Sequence, residues 1–230
     1  MMINKKLYFI LLFLGSIVFG QEGNNISQNS IVTFSLISPV YSYAPRWNIG
    51  YIRKIDTRLW AGIEVGYGNY KTSIGIAAES DEFIFSDYEL FEIRPEIFYD
   101  LRPKSKLKHL LSAELFFISH SDVLKNNWYY SNDSNLQYTY DSAEYKRKKY
   151  GANINDIIML NISKRLALSP KIGFGFKYRN VKFSNLMNVE QSSYDYEQDN
   201  WTPKSNDYIK NSGTSINFNF NFDLKLAYRL

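Results

Sequence analysis

The chain has 230 residues, 27 Lys and Arg against 23 Asp and Glu, a net charge of +4 and a hydrophobic content of 45%. A mean hydropathy of −0.33 excludes a bundle of membrane-spanning helices. No cysteine occurs, which excludes disulfides, thiolate metal sites, a cysteine nucleophile and a lipid-anchoring cysteine; and since Lys5 and Lys6 supply two of the positive charges, the balance does not point to nucleic acid.

Taken in chain order, the first element is MMINKKLYFILLFLGSIVFG, residues 1–20. Two lysines precede an apolar run from Leu7 to Phe19, and the small residues Val18 and Gly20 suit a cleavage site before Gln21. This pattern predicts a secretory signal peptide, because the run is shorter than the ~20 residues a spanning helix needs. Residues 21–29 are polar and predict a short disordered N-terminus, and residues 30–230 form one domain.

Eight stretches of period-two alternation follow, rich in the aromatic residues that favour strands. They lie near 30–38, 46–55, 58–69, 88–101, 109–119, 149–162, 166–178 and 214–230. The last, TSINFNFNFDLKLAYRL, sets Ile216, Phe218, Phe220, Phe222, Leu224 and Leu226 against Asn217, Asn219, Asn221, Asp223, Lys225 and Arg229. Links after the second, fourth and sixth stretches are short, whereas those after the first, third, fifth and seventh run to about 7, 18, 29 and 35 residues. Short turns at one end and long loops at the other predict an up-and-down, eight-stranded antiparallel transmembrane β-barrel with periplasmic turns and extracellular loops. Within the loops, residues 128–140 predict a hairpin around Asn132 and Asp133, and residues 74–85 another.

Which face meets lipid follows from the charges. With the apolar faces outward, the lumen receives Glu64, Glu92, Glu96, Glu114 and Asp223 together with Lys54, Arg94, Lys171, Lys177, Lys225 and Arg229. Buried charges must pair, and eight strands enclose an interior that side chains just fill, so a lumen plugged by ion pairs is expected. Trp47, Tyr67, Tyr99, Tyr150, Tyr178 and Tyr228 near strand ends suit interfacial aromatic girdles. A secreted, soluble lipocalin-like barrel with its apolar face inward is the alternative.

In architecture the mature chain resembles the small eight-stranded outer-membrane barrels of Gram-negative bacteria, the OmpA/OmpX-like group, and in style the Bacteroidetes-type outer-membrane β-barrel proteins. The resemblance implies that the alternating C-terminal strand is an assembly signal for the barrel-assembly machinery, with Tyr228 in the aromatic position and Leu230 in place of the usual terminal Phe. Larger members carry a peptidoglycan-binding domain after the barrel; ending at the eighth strand, this chain is expected to lack that role.

Chemistry beyond the barrel is sparse. His120, in ISHSD at residues 118–122, sits at the outer rim beside Ser119, Ser121 and Asp122. It supports a lipid A or surface hydrolase as an enzyme alternative, although neighbours on a strand point to opposite faces. Trp128, Tyr129, Tyr130 and Trp201 are candidate loop contacts for an unidentified extracellular ligand. The basic cluster YKRKKY, residues 145–150, suits the phosphates of lipopolysaccharide. Asp141-Ser142-Ala143 resembles a short O-glycosylation signal. No zinc spacing, calcium loop or phosphate loop occurs, and no cofactor is expected. The expectation is therefore a monomeric, non-enzymatic outer-membrane barrel acting through its loops, with a narrow channel as a further alternative.

Overall fold

The computed structural model describes residues 29–40, 44–72, 87–103, 105, 107–131, 136–192 and 210–230. The predicted signal peptide, the polar residues 21–28, the hairpin at 74–85, the turn residues Asn132 and Asp133, and Trp201 lie outside the described residues.

The strands are β1 (Ser30–Ser35), β2 (Trp47–Lys54), β3 (Leu59–Asn69), β4 (Glu89–Asp100), β5 (Lys108–Ser131), β6 (Leu136–Asn161), β7 (Leu166–Met187), the two-residue β8 (Glu190–Gln191) and β9 (Gly213–Arg229). Apart from β8, each strand pairs antiparallel with both neighbours, and β1 closes on β9 through Val32↔Tyr228 and Phe34↔Leu226. The result is a closed eight-stranded barrel, with β8 added to β6 at Tyr138↔Gln191. Closure leaves no unpaired edge around the barrel wall.

Burial alternates along the barrel wall, and below the Tyr150–Tyr178 level the apolar faces point outward. Phe220 is 86% exposed and Phe218 70%, whereas Lys171 is 2% exposed. Ile49, Ile63, Ile97, Leu115, Ile172 and Phe174 continue the exposed apolar surface around the wall. Stacked Tyr150 and Tyr178, 4.7 Å apart, bound it at the long-loop end; Tyr99, which accepts a 3.0 Å hydrogen bond from Arg58, lies near the short-turn end.

The interior differs from the expected column of charges. At the short-turn end the inward face is apolar, a cluster of Ile31, Ile52, Trp60, Phe98, Leu110, Ile157 and Met159 with Ala167 and Ala227. Trp60 and Phe98 share the parity of Glu64 and Glu96, so apolar residues occupy both faces of those strands at this level. A second inward cluster, Ala44, Tyr88, Leu90, Phe116 and Ile118, covers the charges toward the long-loop end. Inward Ile157 and Met159 also explain the irregular pattern of the sixth stretch, where apolar residues run consecutively.

Three strands continue well beyond their predicted ends. β5 and β6 keep one register up to Ser131↔Leu136, skipping only the Asn126–Asp141 position, and β7 follows β6 to Met187. Predicted loop 120–148 is therefore mostly a raised hairpin, and the early part of loop 179–213 is strand. The outward face turns polar beyond Tyr150, which removes the apolar alternation, but the backbone pairing does not depend on it. Asn126, Asn185 and Asn188 adopt positive φ of 48°, 50° and 51°, the left-handed conformation that asparagine tolerates, and the β6–β7 register shifts between Ser142 and Glu144. Leu124, Tyr140, Ala143, Tyr145 and Val181, with Tyr129, Phe183 and Leu186 against them, give the extension its own core. At its tip Ser212 donates its backbone N–H to Tyr130 at 2.9 Å, so the segment leading into β9 reaches back to β5.

Phe98→Ala should open a void in the lower apolar plug and cost about 3–5 kcal/mol, while Phe220→Ala on the exposed face should cost far less. The temperature at which each refolded variant loses its compact gel mobility measures the difference.

Candidate functional site

Between the two apolar layers lies a closed set of charges. Arg94, near the middle of β4, points inward because it alternates with Ile93 and Pro95. Its guanidinium contacts Glu92, reaches Glu114 at 2.7 Å and passes Glu64 at 3.9 Å. Lys171 of β7 crosses the lumen to Glu96 at 2.8 Å and Glu114 at 2.5 Å. Lys225 of β9 contacts Glu64 and lies 3.8 Å from Asp223. Glu92 is closed from the other side by Arg46 at 2.6 Å.

Neutral donors saturate the remaining oxygens. Asn48 donates to Glu64 at 3.1 Å and Glu92 at 3.0 Å; Asn153 donates to Glu114 at 2.8 Å; Asn155 and Ser112 donate to Glu96. Ser35 donates to Asp223 at 2.7 Å. Asn219 and Asn221 extend the set to β9 through Asn153 and Asn155, at 2.8 and 3.2 Å. The remaining space is small: cavities of about 20 Å³ and 50 Å³ among these side chains, of the order of one or two waters. A wider recess of about 280 Å³, lined by Asn29, Lys54, Trp60, Lys108 and Arg229 among others, lies below the lower plug.

Of the residues picked out for the lumen, Glu64, Glu92, Arg94, Glu96, Glu114, Lys171, Asp223 and Lys225 come together. Arg229, Lys177 and Lys54 do not join them; Lys54 lines the recess below the lower plug. Arg229 lies at the short-turn end, bonding Asn161 and the Lys164 carbonyl. Lys177 lies on the inward face above Gly175, among Lys149, Arg147 and Arg179 on β6 and β7. Arg46, Asn48, Ser112 and Ser35 were not singled out. Ser112 shares the parity of Glu114, and Asn48 and Arg46 that of Lys54 within stretch 46–55, a usable signal; Ser35 lies on β1, which has no charged residue, and carries none.

Tyr228 pairs with Val32 and Leu166 at the seam, and the Leu230 amide donates to the Ser30 carbonyl at 3.0 Å. Among the proposed contact aromatics, Tyr129 is packed inside the extension, stacked on Phe183 at 4.8 Å and Tyr138 at 5.4 Å. Trp128 has the Lys210 ammonium 4.1 Å from its ring centre, and Tyr130 forms a parallel bridge with Asn211. His109 bonds Asp156 at 2.5 Å near the short-turn end. Ser142 sits beside the β6 irregularity and pairs with Lys125.

His120 is 1% exposed, with its ring edge-on to Tyr88 at 6.2 Å and Tyr145 at 5.4 Å. Burial, with the Arg147 and Arg46 guanidinium groups nearby, lowers its pKa well below the ordinary histidine value. Ser119 and Ser121 alternate to the opposite face. Above His120, Asp122 is also buried; it accepts the Val123 N–H at 2.8 Å and the Asp87 backbone N–H, and burial raises its pKa to about 7.

No family model matches the sequence, and no curated protein matches it significantly. Among solved structures, a major outer membrane protein from Thermus thermophilus aligns over 87% of this chain and 98% of its own, at 12% identity and a TM-score of 0.40. CarO from Acinetobacter baumannii aligns over 91% of this chain and 100% of its own, at 8% identity and a TM-score of 0.41. Likeness at this level lends no weight to a functional assignment, which rests on the geometry of the barrel itself.

Lys171→Met should leave Glu96 and Glu114 facing each other without their shared cation and cost about 3–5 kcal/mol, measured by urea unfolding in micelles. Asp122 gives a pH dependence of opposite sign to a paired acid. Its folded pKa is raised, so the protonated form stabilises the fold below about pH 4 and that contribution is lost as pH rises to about 7. Asp122→Asn should therefore raise the melting temperature of the extension at about pH 8 and not at about pH 4, followed by near-ultraviolet dichroism of its tyrosines.

Proposed function

We propose that the chain is a monomeric, non-enzymatic outer-membrane β-barrel that passes no solute through its lumen and presents its β5–β6–β7 extension to an extracellular partner. One observation carries the reading: a closed eight-stranded wall that exposes phenylalanine and isoleucine outward and buries lysine, arginine and glutamate inward. In water this arrangement is inverted, since exposed apolar area and buried charge both cost free energy; in lipid the outward face is at ease and strand-to-strand pairing around a closed wall satisfies the backbone. The inverted burial favours this reading over a soluble lipocalin-like barrel.

The lumen supports a structural rather than a conducting role. A channel needs a continuous wet path, whereas Arg94 and Lys171 cross the middle of this barrel with apolar layers above and below. Against a hydrolase, His120 is buried between tyrosines, and its neighbouring serines face the other way. Assembly is expected to read β9 at Tyr228 and Leu230, and the outer-leaflet lipid to include lipopolysaccharide.

The chain should be recovered from the outer-membrane fraction, migrate faster on gels before heating than after, and give no steady conductance in planar bilayers. Recovery in the soluble periplasm would overturn the membrane reading, and steady conductance would overturn the closed lumen. Unchanged lipid A composition in cells expressing His120→Ala would remove the hydrolase alternative.

A further inference from the structure

The outer face of β5, β6 and β7 is graded with height. Strand register places Ala113, Ile154 and Phe174 in one row, Leu115, Ala152 and Phe176 in the next, and Phe117, Tyr150 and Tyr178 above them. The next outward row is Ser119, Lys148 and Asn180, and the next Ser121, Lys146 and Lys182. Apolar rows thus give way to an aromatic row and then, without an intervening step, to two rows of hydrogen-bond donors. Lys146, Lys148 and Lys182 are exposed. The same YKRKKY run sends Arg147 and Lys149 to the opposite, inward face, so the outward patch is a selection by strand parity from a basic cluster.

We propose that Lys146, Lys148 and Lys182, flanked by Ser119, Ser121 and Asn180, bind the phosphate of a lipid headgroup in the outer leaflet. The proposal rests on the membrane reading above and deepens it by naming a lipid site.

Adjacent strands lie about 5 Å apart and successive outward rows about 7 Å apart, so three long lysine arms are within reach of one phosphate group. Lys146 and Lys182 are direct cross-strand partners, like charges that an anion between them stabilises in addition to Glu144 beside Lys146. Ammonium-to-phosphate hydrogen bonds are charge-assisted, and serine hydroxyls and an asparagine amide add neutral donors. The height fits: lipid tails covering Phe174 and Phe176 bring the headgroup phosphate just above stacked Tyr150 and Tyr178. Among the described residues, Glu144 and Glu89 border the patch. Glu144 lies one row higher, 3.6 Å from Lys146, and accepts the Asn185 amide at 2.7 Å; Glu89 lies to the side opposite Ser121 and accepts the Tyr67 hydroxyl at 3.0 Å. They limit the patch above and laterally and leave the side toward the aromatic row open.

The test uses the full mature chain, purified in mild detergent from the outer membrane, with a fluorescent bis-phosphorylated lipid A as probe. Saturable binding is expected, weakened about tenfold or more in Lys146→Gln/Lys148→Gln/Lys182→Gln and with the dephosphorylated lipid, and unchanged in Lys125→Gln on the extension above. Excess inorganic phosphate should not displace the probe. Equal binding by the triple variant, equal binding of dephosphorylated lipid, equal weakening in Lys125→Gln, or displacement by inorganic phosphate would each overturn the site. Heat-modifiable migration of the triple variant shows that its barrel is intact. Fractionation, read before any lipid is added, separates failure of this site from failure of the membrane reading.

Discussion

The structure depends on the crossing of the lumen by Arg94 and Lys171, each shared between two or more carboxylates. A strand with a period of two must put something on its inward face, and in a barrel of eight strands that something must also fill the lumen. Long cationic side chains from β4, β7 and β9 reach the carboxylates of β3, β4 and β5, and so tie distant parts of the wall to one another. The wall makes room for them. Gly173 is an example: a Cβ there would fall 2.0 Å from the Asn155 side-chain oxygen, so a larger residue would dislodge the amide that donates to Glu96.

Buried charges stabilise only when every lone pair and proton is engaged, and the layers around the network make that requirement stricter. The plug around Trp60 and Phe98 below, and the cluster of Leu90, Phe116 and Ile118 above, keep bulk water away. Attraction within the network strengthens as water is excluded, and so does the cost of any group left over. The asparagines answer that cost. Asn48 serves two carboxylates at once, and Asn153 both donates to Glu114 and accepts from Asn219.

Much of this was legible in the chain. Alternation and the rhythm of short and long links define eight strands and their order, because both follow from backbone geometry. The charged residues on one parity of β3, β4, β5, β7 and β9 identify most of the network. The apolar plug was not legible: Trp60 and Phe98 interrupt the polar parity, and alternation alone cannot separate a lipid-facing apolar residue from one facing a dry lumen. The length of β5, β6 and β7 was hidden for a related reason. Beyond Tyr150 the outer face becomes polar, so the pattern fades while the ladder goes on, and the left-handed Asn126 and the β6–β7 register shift opposite Asn185 disturb its alternation. Tyr129 looked like an exposed contact because the sequence does not reveal the small core that Tyr140, Tyr145 and Phe183 build around it.

These two failures share a cause, which lies in what surrounds the barrel at each height. Below the Tyr150–Tyr178 pair the wall has apolar residues outside and a charged set held between apolar layers within; above it the same strands have lysines outside and, within, first Lys149, Arg147 and Arg179 and then Leu124, Tyr140 and Tyr145. One continuous ladder of backbone hydrogen bonds therefore carries two opposite side-chain codes, one suited to lipid and one to water. No turn, helix or linker marks the change; a single row of aromatic residues does. A change of the outward face at that row is what a sheet must show if its strands leave a bilayer without ending. The row also fixes where the lysines above it stand relative to any headgroup.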